Sequence, residues 1–101
     1  MKRHRCIGTA FVCGLDGDFI LKYYVTYDGC SGDAEQSYGI EVEKNCGSAF
    51  GGISEKRQIG GICNKEEEAE LFARVLLRNT VTPMAVADVI YDLIVDKYMV
   101  L

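Results

Sequence analysis

Residues 82–98 carry more apolar surface than one sheet can absorb, and that excess constrains the fold of this chain more than any other feature. Thr82-Pro83 predicts a helix opening, with Thr as cap and Pro at the first helical position, where its missing donor costs nothing. Val86, Val89, Ile90, Leu93 and Ile94 then recur at helical spacing as one inward stripe. Fully buried, these five would contribute ~7–15 kcal/mol gross at ~1.5–3 kcal/mol each, against a typical net stability of ~5–15 kcal/mol, so losing this helix should unfold the domain. Met84, Tyr91, Val95 and Tyr98 follow at intervals of seven, four and three residues and make a second apolar band beside the first. Only the side bearing Asp88, Asp92 and Asp96 is left for water. A helix lying on one sheet needs one stripe. Two bands require a second neighbour, which is either a preceding helix or another subunit.

The rest of the chain supplies the sheet. Residues 5–13 and 18–27 are rich in aromatic and β-branched residues, and Gly14-Leu15-Asp16-Gly17 between them is a strong hairpin signal. Residues 28–36 hold polar breakers throughout and form a loop. Tyr38-Gly39-Ile40-Glu41-Val42-Glu43 alternates, which turns Tyr38, Ile40 and Val42 to a core and Glu41 and Glu43 to water. Residues 45–58, with Gly47, Gly51 and Gly52, are a loop or a weak hairpin. A fourth short strand over 58–63 contains Gly60-Gly61, a pair that suggests a bulge or an edge position. Asn64 stands before Lys65-Glu66-Glu67-Glu68 as a cap, and a helix over 65–79 follows. It places Ala69, Phe72, Ala73, Val75 and Leu76 on one side and Glu67, Glu70, Arg74 and Arg78 on the other, with Asn79 as a left-handed stop. The expected architecture is a single α+β domain over residues 1–101, a four-stranded antiparallel sheet followed by two C-terminal helices packed on one face.

Composition narrows the function classes. Hydrophobic residues make up 49% and charged residues 26%, the balance of a globular domain. A net charge of −4 disfavours phosphate backbones and anionic lipid. Lys2-Arg3-His4-Arg5 and the tyrosines of 18–27 lack the basic surround that base stacking needs, so no nucleic-acid partner is expected. The basic start followed by Cys6–Cys13 imitates a signal peptide, but Gly8 and Thr9 interrupt the apolar piece and no cleavage site follows. No run approaches the ~18 apolar residues of a membrane span, and the expected location is the cytoplasm. The five cysteines (Cys6, Cys13, Cys30, Cys46 and Cys63) are odd in number and contain no Cys-x-x-Cys, so they read as small buried residues or loop thiols of a reducing compartment.

Catalytic constellations are missing. His4 is the only histidine and lies in the basic flank, and there is no phosphate loop and no nucleophile elbow. Asp88, Asp92 and Asp96 line one helix face, but the outer two stand about 12 Å apart at ~1.5 Å rise per residue, too far to share an ion. They suit a solvated face or a dock for a basic partner. No metal and no cofactor is expected, and the balance of chemistry falls against an enzyme.

Ser37-Tyr38-Gly39-Ile40-Glu41-Val42 and Val81-Thr82-Pro83-Met84-Ala85-Val86-Ala87-Asp88-Val89-Ile90-Tyr91-Asp92 together resemble a family of small uncharacterised bacterial proteins, domain of unknown function 6514. The similarity spans the third strand through the last helix. Its motifs are structural, so the resemblance implies no activity, substrate or catalytic residue. The reading that follows is a non-catalytic interaction or regulatory module that self-associates, or meets a protein partner, through Met84, Tyr91, Val95 and Tyr98. The alternative is a small-molecule site or small enzyme between sheet and helices, with Tyr23, Tyr24, Tyr38 and Cys46 on its rim.

Overall fold

The computed structural model describes residues 2–14, 17–27, 38–47 and 52–98. Four strands, β1 (Lys2–Gly14), β2 (Gly17–Tyr27), β3 (Tyr38–Cys46) and β4 (Ile53–Cys63), form one antiparallel sheet in the order β1-β2-β3-β4. Two helices, α1 (Glu66–Arg78) and α2 (Val86–Tyr98), follow and pack on one face, giving the α+β architecture expected from the sequence. The 28–36 loop and the 15–16 turn lie outside the described residues.

The central strands carry the core because each is flanked by neighbours on both edges. Leu21, Tyr23 and Val25 of β2 and Ile40 and Val42 of β3 are fully buried. Tyr23 stands opposite Val42 and Val25 opposite Ile40, so these cross-strand pairs share the helix-covered face. Ala69, Ala73 and Leu76 of α1 and Val86 and Ile90 of α2 close over them. The two alanines leave no bulk between α1 and the sheet. On β1 the helix comes so near that a Cβ on Gly8 would lie 2.7 Å from Leu77 Cδ2.

Of the two readings of residues 45–58, a loop or a weak hairpin, the hairpin is the one found over the described residues. β3 runs on to Cys46, β4 begins at Ile53, and their ends pair. Glu43 opposite Lys56 and Lys44 opposite Glu55 set opposite charges across the ladder, which supports pairing where apolar alternation gives no signal. Lys44 Nζ also lies 4.4 Å from the centre of the Phe19 ring. Gly60-Gly61 marks a bulge on an edge strand. Between the pairs Ile40–Ile59 and Tyr38–Cys63, Gly39 alone faces residues 60–62, and Gly61 has φ 64°. A Cβ on Gly39 would stand 2.2 Å from the Ile59 carbonyl oxygen.

The helix ends differ from expectation. The cap of α1 is Lys65, not Asn64; its backbone is still extended from β4 (φ −126°, ψ 135°) and it makes no side-chain cap bond. Glu66, Glu67 and Glu68 still place negative charge at the positive end of the helix dipole. At the other end Asn79 is not left-handed (φ −98°); that conformation belongs to Thr80 (φ 47°). Thr80 N donates to Leu77 O and Val81 N to Leu76 O, the paired bonds of a Schellman stop, and Val81 drops into the core at 7% exposure. The stop falls one residue later than composition suggests because burying Val81 sets it. Pro83 likewise opens a single turn over 83–85, with Ala85 N donating to Thr82 O, and α2 proper starts at Val86.

The sheet face away from the helices is not wet throughout. Glu41 is 1% exposed and Thr26 fully buried, contrary to the alternation reading. Glu41 stands between Tyr24 and Gln58 in the ladder and accepts a 2.5 Å hydrogen bond from Gln58 Nε2, the kind of partner a buried carboxylate needs.

Candidate interaction face

α2 positions the site. Its inward side is anchored by Val86 and Ile90, and a 3.6-residue turn then carries the second band away from the sheet. Met84, in the turn before the helix, is 87% exposed, and Tyr91 is 69% exposed. Val95 is half-buried, while the Tyr98 and Asp96 side chains lie outside the described residues. Asp88 and Asp92 are exposed, as expected for the solvated side. Met84 and Tyr91 are therefore not covered by α1, and the two helices do not share this band.

Beside the band runs an open groove of about 460 Å³ between α2 and the edge strand β4. Ala87, Ile90, Tyr91 and Ile94 form one wall, and Arg57, Gln58, Ile59, Gly60 and Ile62 form the other. The β4 wall is absent from the sequence reading. Its signal, Arg57 and Ile59 two residues apart on one strand face, is obscured by the two glycines that follow.

Tyr23, Tyr24, Tyr38 and Cys46 do not come together. Tyr23 and Tyr24 are consecutive in β2 and point to opposite faces, and Tyr38 and Cys46 are the two ends of β3. Tyr23 is wholly buried, and its hydroxyl donates to Val81 O at 2.9 Å, tying β2 to the α1–α2 connection. Burial pushes that phenol up to about 12. The Tyr38 phenol is also pushed up, first by burial and then by the nearby Glu66 charge; its ring packs 5.0 Å from that of Tyr27.

The other charged feature is structural. Glu70 on α1 pairs with Arg74 one turn on at 2.7 Å and with Arg5 of β1, and these bonds hold its carboxyl below the usual glutamate range. Cys6, Cys13, Cys46 and Cys63 are free thiols, but only Cys63 is buried; Cys6 and Cys13 are exposed on β1, an edge strand, rather than in core or loop. Among the described residues, no three His, Cys, Asp or Glu side chains gather as a metal site, and no helix is long and apolar enough to cross a membrane.

The model of a family of unknown function, DUF6514, matches residues 3–96. The chain belongs to this family. Membership in DUF6514 takes in the first hairpin as well as the third strand through the last helix, and so includes both walls of the groove. No curated protein and no solved structure matches the chain.

Proposed function

We propose that this domain is a non-catalytic interaction module of the cytoplasm that associates with a second copy of itself through the outer side of α2. One observation carries the reading: Met84 and Tyr91 both stand in solvent, and Tyr91 lines a groove that also holds Ile59, Ile62, Ile90 and Ile94. Large apolar side chains gathered at one place, rather than scattered singly, mark a surface that another molecule covers. A twofold axis beside α2 sets each copy's Tyr91 against the other's groove, the self-complementary geometry of the commonest oligomers. The acidic side formed by Asp88 and Asp92 then rims the contact, where charge directs docking rather than adding affinity.

Sedimentation of the full chain over a concentration series tests this. The wild type should pass from monomer to dimer, and Tyr91→Asp should remain monomeric with an unchanged far-ultraviolet spectrum. A wild type that stays monomeric to its solubility limit rejects the reading. A small-molecule site is the second reading, favoured by a groove volume within the ~300–1,000 Å³ typical of such sites.

A further inference from the structure

The groove has a second wall, and that wall is an open sheet edge. Among the described residues β4 is bonded to β3 alone, and Ser54, Glu55, Lys56, Arg57 and Gln58 are all exposed. Over Ile53–Ile59 its pairing with β3 is regular, since the bulge lies beyond Ile59. Such an edge presents a row of unpaired amide and carbonyl groups to a further strand.

We infer that β4 pairs antiparallel with β4 of a second copy, in a register centred on Lys56, so that one sheet runs through both protomers. This rests on the self-association reading above and specifies how the copies meet. The pleat restricts the choice, because residues directly opposite each other must point to the same face. An axis through Glu55 sets glutamate against glutamate, and one through Arg57 sets arginine against arginine. The axis through Lys56 sets Glu55 opposite Arg57 twice and Ser54 opposite Gln58 twice. Among the described residues Glu55 and Arg57 form no ion pair within the chain, since Lys44, the ladder neighbour of Glu55, sets its ammonium over the Phe19 ring, so both are available. They lie on the helix-covered face, in the ladder rows of Lys44 and Val42. Lys56 lies in the row of Glu43 on the opposite face, where water screens the single like-charge contact on the axis. The same twofold keeps the helices on one side of the joined sheet. It sets the two α2 helices on the same side of the seam, with each Tyr91 facing the other copy's groove.

Charge swapping with the full chain tests the register. Glu55→Arg and Arg57→Glu each turn two attractive pairs into two repulsive ones and should weaken dimerisation roughly tenfold by sedimentation. The double variant, carrying both substitutions, should return to within a few-fold of wild type. Single variants that dimerise like wild type, or a double variant no better than the singles, overturn the register. If Tyr91→Asp still abolishes the dimer in that case, self-association through α2 stands and only the strand pairing falls. A monomeric wild type overturns both.

Discussion

α1 and α2 are equally long, 13 residues each, and they meet the same sheet, yet only one of them has settled its surface. α1 turns Ala69, Ala73 and Leu76 inward and holds its outer charge in the Arg5–Glu70–Arg74 network. Leu71, 63% exposed, is its one large apolar side chain in solvent. α2 buries Val86 and Ile90 equally well but also carries Tyr91, with Met84 in the turn before the helix, both left exposed by the described residues. Helix propensity does not separate the two. What differs is the width of the apolar arc against the area one sheet offers, and the excess is where a partner surface must be sought.

The largest effect expected from this contrast is in the core. Leu76→Ala should destabilise the domain by ~2–5 kcal/mol in denaturant titration, through lost burial and the cavity left behind. Met84→Ala, measured in dilute solution, should change monomer stability by no more than about 0.5 kcal/mol. Equal losses at the two positions would erase the distinction between a settled and an unsettled helix surface.

Tyr23→Phe comes next. It leaves the buried Val81 carbonyl without its donor, at a cost of about 1 kcal/mol near neutral pH. The folded phenol titrates at about 12 and the unfolded one near 10.0. Its contribution is therefore whole below the lower value and is lost as pH rises toward the upper one. Wild-type stability should fall across that alkaline window more steeply than that of Tyr23→Phe.

The smallest effect is a gain. Thr80 is a β-branched residue at φ 47°, a conformation that glycine adopts without steric cost. Thr80→Gly should stabilise the α1 stop by up to about 1 kcal/mol, or several degrees in Tm. A loss instead would place the hinge between the helices under some other control.

The fold was largely legible because its determinants are local. The aromatic and β-branched run of β2, the glycine pair in β4 and the apolar spacing of both helices are each read from residues close together in the chain. Three features were hidden, for physical reasons. The extent of the β3–β4 hairpin depends on a register that sets Glu43 opposite Lys56 and Lys44 opposite Glu55, which no single strand reveals. Glu41 looks like a solvent residue until Gln58 is placed beside it. The α1 stop depends on where Val81 reaches the core, not on the asparagine that composition suggests. The α2 side of the candidate face was visible as a second band, whereas its β4 wall exists only once the sheet order sets β4 at an edge.

Amide hydrogen exchange followed residue by residue as a function of protein concentration tests the central claim most directly. Protection at Ser54–Gln58 and along α2 should rise with concentration, while protection in α1, already covered within the chain, stays constant. Protection of β4 and α2 that is the same in dilute and concentrated protein would contradict the account.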